Sequence, residues 1–189
     1  NAINELKPVL GIELTATPKT TGSTPVDFKN TIYAYSLSEA MEDGYVKDPA
    51  VATRKDFKPE NYTAEQLERI KLEDGIHHHE HVKVELDVYA RQYDKKIVKP
   101  FMLVVAQDTE HARQLRELLE SDAFFEGRYK GKVAEVHSKQ SGTEEDENIQ
   151  RLISVEDPNE PTEIVIHVNK LKEGWDVTNL YTIVPLRAS

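Results

Sequence analysis

The chain has 189 residues, 38% of them hydrophobic, and a net charge of -10, which is enough for one ordinary domain or a domain with a piece of a neighbour attached. It contains no cysteine, which excludes disulfides and thiolate metal sites and fits a cytoplasmic location. No apolar run approaches the ~20 residues needed to cross a bilayer, so a soluble chain without a membrane partner is expected, and the acidic balance argues against a surface that grips nucleic acid by bulk charge.

In chain order, Val9 to Leu14 (VLGIEL) reads as a short strand. It ends in Thr15, Ala16, Thr17 and Pro18, and the following KTTGSTP is linker-like, so the strand is expected to belong to something upstream. Thr31 to Tyr35 (TIYAY) reads as a strand, and Ser36 as the cap of a short helix that runs through Glu42 and is ended by Gly44. Ala50 to Arg54 reads as another brief strand, and Asp56 to Tyr62 as a polar loop. Thr63 to Lys96 is long and charged. Val82, Val84, Leu86 and Val88 alternate like a strand there, but Val82, Leu86, Tyr89 and Tyr93 also mark one helical face. Flanks rich in Glu, Lys, Arg and Gln favour helix over about 62–98, with Gly75 expected to break or kink it.

A regular βα rhythm follows. Phe101 to Ala106 (FMLVVA) is a strand, Asp108 caps a helix through Leu119, Lys132 to Val136 (KVAEV) is a strand, and Thr143 opens a helix that runs to about Ser154. Glu163 to Asp176 (EIVIHVNKLKEGWD) is the most informative stretch. Ile164, Val165, Ile166 and Val168 are apolar on both faces of an extended chain, as expected of a parallel strand covered on both sides. That strand delivers a turn holding Gly174, Trp175 and Asp176. In open α/β sheets, ligands are held at the carboxyl ends of such strands. A plain surface turn with Trp175 packed beneath it explains the same residues equally well. Leu180 to Val184 (LYTIV) is the last strand. Strands alternating with helices predict an α/β fold with a parallel sheet and helices on both faces.

The chain contains no Walker-type phosphate loop, no dinucleotide fingerprint and no nucleophile elbow, the usual signatures of a self-sufficient nucleotide or acyl-transfer site. His77, His78, His79 and His81 cluster on the long helical stretch, and His77 and His81 share a face at i, i+4. No third ligand stands at metal spacing beside that pair, so the expectation is a solvated helix face and no metal. Asp27-Phe28-Lys29 and Asp56-Phe57-Lys58 offer too few ligands to be read as nuclease metal sites.

Thr15-Ala16-Thr17 after a strand resembles the Ser/Thr-Ala-Thr element (motif III) of superfamily 2 helicases and translocases. The stretch from Phe101 resembles their motif IV, and Asn169 to Asn179 (NKLKEGWDVTN) resembles motif V as found in the restriction (Res) subunit of type III restriction-modification enzymes. The resemblance extends over nearly the whole chain and rests most firmly on Thr-Ala-Thr-Pro followed, in order, by Lys-Glu-Gly-Trp-Asp-Val.

The resemblance implies a RecA-like second motor domain of an ATP-driven DNA helicase or translocase. On this expectation residues 1–29 are the end of the first RecA-like domain and a linker, residues 30–189 are the second domain, and the chain stops short of motif VI. Gly174 and Asp176 match positions near the nucleotide, the catalytic places of the motif. Thr15, Ala16 and Thr17 match the element that couples the two domains. Asn169, Lys170 and Lys172 lead in to motif V near nucleic acid, and Gln107, Thr109, His137 and Ser138 fall on loops that touch the DNA backbone in the family. Val168 stands where many members carry a phosphate-contacting threonine, a departure that removes that contact. The implied cofactors are ATP and Mg²⁺, bound mainly by the first domain. The implied partners are DNA, that first domain and a methyltransferase (modification) subunit, within a restriction endonuclease. The rival reading from the residues is a nucleotide-independent α/β binding or scaffold domain.

Overall fold

The computed structural model describes residues 5, 7, 9–20, 24–137, 150–168 and 177–186. The chain divides into two compact units, Asn1–Asp56 and Phe57–Ser189.

The first unit has almost no core of its own. Ala40 is its one buried hydrophobic residue among those described. An antiparallel bridge joins Lys19 to Asp27, whose side chains also form an ion pair at 3.4 Å. Helix α1 (Leu37–Glu42) starts with a reciprocal cap between Ser36 and Glu39 and is followed by Gly44 at φ 77, as the sequence predicts. The three strands expected here do not form: residues 9–14, 31–35 and 50–54 carry no ladder, and Val9, Ile12, Leu14, Ile32 and Val51 stand exposed. β-Propensity cannot make a strand alone, because an extended chain without a neighbour has no partner for its backbone donors and acceptors.

In the second unit, helix α2 (Ala64–Tyr93) is followed by strand β1 (Phe101–Val105), helix α3 (Thr109–Leu119) and strands β2 (Val133–His137), β3 (Ile164–Val168) and β4 (Leu180–Pro185). The four strands form one sheet in the order β2-β3-β1-β4, and every pairing is parallel. Met102 is level with Ile164 and Thr182, and Ile164 is level with Val133. This α/β architecture is the predicted one, and its strand order is compatible with a RecA-like fold. The helix expected from Thr143 is described only from residue 150, helical to 153.

Alternation along each strand divides the core between the two faces of the sheet. Met102, Val104, Ile164, Ile166 and Val184 face α2 and α3. α3 meets them with Ala112, Leu115 and Leu119, one stripe at helical spacing, and α2 with Leu72 and Ile76. Phe101, Leu103, Ala134, Val136 and Val165 face the other way, under Leu152 and Val155. Each such branched or aromatic side chain taken fully out of water contributes about 1.5–3 kcal/mol before the entropy of ordering is set against it.

Gly75 does not break α2. The helix runs unbroken for 30 residues, and a Cβ at Gly75 would lie 2.3 Å from Val184 Cγ2 and 3.2 Å from Met102 Sδ. The glycine is there so that the helix can sit directly on β1 and β4; its propensity cost of about 1 kcal/mol is offset by that close packing. α2 starts beside the carboxyl end of the sheet and runs to its amino end. Glu68 reaches His111 at the start of α3, and His79 and Lys83 reach Glu163, the residue before β3. At about 1.5 Å per residue the stretch from 68 to 83 covers roughly 22 Å, a little more than a five-residue strand. In the remaining turns Ala90 is buried, while Val84, Val88, Tyr89 and Tyr93 are exposed. The helix ends at Asp94 in the left-handed region, with φ 51.

Candidate functional site

At the carboxyl end of the sheet the chain leaves β1 through Ala106, Gln107 and Asp108. Leu186 N donates to Val105 O at 3.0 Å and Gln107 Nε2 to Leu186 O at 3.4 Å, which ties this loop to the end of β4. Asp108 caps α3 by accepting from His111 N at 2.9 Å. Gln107 N donates to His111 Nδ1 at 3.2 Å. His111 Nε2 lies 3.0 Å from Glu68 Oε2, close enough for an ion pair but out of line for a hydrogen bond. Between this loop and the first turns of α2 is an open cleft of about 550 Å³, lined by Glu65, Glu68, Lys71, Gln107, Asp108, Glu110, His111 and Leu186, among others.

Gln107 and Thr109 are therefore brought together on one loop at the end of the sheet where α/β folds hold ligands. Their neutral amide and hydroxyl can hydrogen-bond a backbone phosphate or a peptide group. The carboxylates of Glu65, Glu68, Asp108 and Glu110 outnumber Lys71 in the cleft that Gln107 lines, and that field opposes a polyanion.

His137 is the last residue of β2 and is level with Val168, the last residue of β3, so the two strands end side by side. Ser138, Asn169, Lys170, Lys172, Gly174 and Asp176 lie outside the described residues. Thr15, Ala16 and Thr17 belong to the other unit and are exposed. There Thr15 Oγ1 accepts from Thr17 N at 3.1 Å, a local hydroxyl turn.

Sequence reasoning missed the network at the amino end of the sheet. Glu163 is 8% exposed. Its Oε1 accepts from Lys132 Nζ at 2.6 Å and its Oε2 from Lys83 Nζ at 2.7 Å, with His79 Nε2 at 3.4 Å. Lys83 also donates to Glu80 Oε1 at 3.2 Å, which in addition accepts from the hydroxyl of the buried Tyr129 at 2.7 Å. Burial alone would raise the carboxyl group of Glu163, but the hydrogen bonds from His79, Lys132 and Lys83 outweigh it and hold the group well below the usual carboxylate range. Burial would likewise lower Lys83, and Glu163 outweighs it in the other direction. Burial and the hydrogen bond to Glu80 together push Tyr129 up.

The histidine face expected to be solvated is solvated only in part. His77, His78 and His81 are exposed, with His77 edge-on to Phe125 and His81 paired with Glu85 at 3.1 Å. His79 is completely buried, because it lies on the core side of α2, one turn beyond Gly75. The i, i+3 and i, i+4 spacing of Glu80, His79 and Lys83 was legible in the sequence. The link to a carboxylate 80 residues away was not.

Among the described residues, one group gathers ligand atoms at metal distance: His79, Glu80 and Glu163 offer three within 4.8 Å of one another. The Lys83 ammonium already bridges both carboxylates, and Lys132 and Arg128 add two more cations. A dication would have to displace Lys83 and enter a cluster with no net negative charge to hold it. The residues do not fit a metal, and the network acts as an internal clamp between α2, the turn before β2 and the start of β3.

The described residues of this unit thus define an α/β domain with an all-parallel four-stranded sheet. No family model, curated protein or solved structure matches the chain. Among the described residues no helix is long and apolar enough to cross a membrane.

Proposed function

We propose that this chain carries the second RecA-like motor domain of an ATP-dependent DNA translocase of superfamily 2, of the kind found in the restriction subunit of type III restriction-modification enzymes. One observation carries the reading. In sequence, Lys172-Glu173-Gly174-Trp175-Asp176-Val177 begins four residues after the end of β3, an interior strand of an all-parallel sheet, and Thr15-Ala16-Thr17-Pro18 precedes it in the expected order. ATP and Mg²⁺ are held mainly by a first RecA-like domain in a longer chain; ATP binding closes a cleft against this domain and hydrolysis releases it, moving the grip along DNA. Phosphoryl transfer of this kind depends on positioning and charge stabilisation. Asp176 and Gly174 stand at the cleft edge, Thr15 and Thr17 couple the domains, and Asn169, Lys170, Lys172, Gln107, Thr109, His137 and Ser138 meet the nucleic-acid backbone. A methyltransferase subunit and a nuclease activity belong to the same proposal, as does a cytoplasmic location.

The test is DNA-stimulated ATP hydrolysis by the longer chain that this reading requires. Hydrolysis that rises with DNA supports it; a longer chain that neither binds nor hydrolyses ATP overturns it. The carboxylates of the cleft that Gln107 lines favour a second reading, a nucleotide-independent α/β binding or scaffold domain whose cleft receives a basic segment of another protein. On that reading neither ATP nor DNA changes the stability of the domain.

A further inference from the structure

Two of the three named helices begin with a reciprocal cap, and the third begins with a variant of it. At α1, Glu39 N donates to Ser36 Oγ at 3.2 Å and Ser36 N to the Glu39 carboxylate at 2.7 Å. At α2, Thr63 and Gln66 make the same exchange at 3.2 and 2.9 Å. At α3 the N-cap Asp108 accepts from His111 N, but the returning acceptor is an imidazole nitrogen, and it takes the N–H of Gln107, one residue further upstream. A carboxylate or amide oxygen accepts throughout the physiological range, whereas Nδ1 accepts only while it carries no proton. With Nδ1 accepting, neutral His111 carries its hydrogen on Nε2, the atom that faces Glu68.

We propose that His111 is a proton-operated latch on the β1–α3 loop. Neutral, it holds the Gln107 backbone at the carboxyl end of the sheet. Protonated, it sets Nδ1–H against the Gln107 N–H, donor against donor, and turns the Glu68 contact into a full ion pair, so the Gln107 backbone amide is released while the Asp108 cap and the tie to Leu186 hold the rest of the loop. The charged groups that face the imidazole are Glu65, Glu68 and Lys71 from α2 and Asp108 and Glu110 from its own loop and helix; the end of β4 contributes the uncharged Leu186. The latch itself needs no nucleic-acid function, and only its consequence for DNA grip rests on the translocase reading.

The experiment is nitrogen NMR on the labelled 189-residue chain from neutral pH down to roughly pH 5, the range in which histidine changes charge. It reads the His111 ring nitrogens and the exchange rate of the Gln107 amide, corrected for its intrinsic pH dependence. The expected result is an unprotonated Nδ1 at neutral pH and about a fivefold loss of Gln107 protection as His111 takes up a proton, the scale of one hydrogen bond. His111→Asn, whose side-chain oxygen takes the place of Nδ1 and does not titrate, should keep that protection flat with pH, and His111→Ala should lose it throughout. A proton on Nδ1 at neutral pH, Gln107 protection indifferent to His111 charge, or a wild-type pH response in His111→Asn would each overturn the latch. Because no arm uses DNA or nucleotide, failure here is distinct from failure of the motor reading.

Discussion

The two ends of the sheet are built on opposite principles, although one helix serves both. At the amino end, α2 presents His79 and Lys83 to a nearly buried carboxylate, and Lys132 closes the clamp from the other side. At the carboxyl end the same helix presents Glu68 to a half-buried histidine beside an open cleft. Charges taken out of water must be matched there and then, because an unmatched one costs several kcal/mol. Polar groups at the rim are free to exchange water for a ligand. The amino end thus spends its polar residues on holding three segments together, and the carboxyl end keeps its own available.

The largest effect should come from breaking the clamp. Glu163→Ala leaves Lys83 with Glu80 alone and Lys132, about two-thirds buried, without its carboxylate, and should cost about 2 kcal/mol in chemical denaturation, less than the range for a fully buried uncompensated charge because both lysines still reach water. A loss within about 0.5 kcal/mol would mean that water replaces the carboxylate and the clamp holds nothing. The same site sets an acid limit. Its folded pKa is depressed, so the stability it contributes is fully present above the unfolded carboxylate range, near about 4.3, and is lost as pH falls below it toward the folded value. Wild-type stability should therefore fall more steeply below about pH 4.5 than that of Glu163→Gln; parallel curves would show that the acid response arises elsewhere.

At the other end of the sheet, the motor reading puts the largest effect on turnover. Asp176→Asn in the longer chain should cut DNA-stimulated ATP hydrolysis by about 100-fold, the scale of one preorganised electrostatic group, with nucleotide binding less affected. It should leave the folding of the 189-residue chain within about 0.5 kcal/mol. Unchanged turnover, or a chain that no longer folds, would make Asp176 a turn residue. Between the two ends, Gly75→Ala forces a methyl group into Val184 and should destabilise by about 2 kcal/mol, visible as a lowered melting temperature. A stabilised variant would mean that α2 can slide on the sheet.

The smallest effects should be at the β1–α3 loop. Thr109→Ala should shift stability by about 0.5 kcal/mol or less. The 189-residue chain by itself should bind DNA weakly and with a shallow salt slope, because few phosphates can be neutralised beside so many carboxylates. Nanomolar binding at physiological salt would contradict the assignment of this loop to an acidic rim.

Local pattern alone was enough for the elements that carry their own signal. Phe101 to Val105 and Ile164 to Val168 are apolar on both faces, Leu180 to Val184 follows them, and Ser36 and Asp108 announce helices that start where the sequence places them. Parallel pairing followed from the alternation of such strands with helices, because parallel strands need crossovers. What the sequence by itself could not determine depended on a second segment arriving from far along the chain. TIYAY has the composition of a strand but no strand beside it among the described residues of its unit, so it forms no ladder. Gly75 has the composition of a helix breaker, yet it is kept in the helix by Val184 more than a hundred residues later. His79 reads as one of four similar histidines until the fold puts it alone inside the core, against Glu163. In each case the deciding energy is a contact between elements distant in sequence, whether a ladder, a close packing or a charge pair. Periodicity and propensity report only on neighbours within a few residues, so those contacts were settled by the tertiary structure.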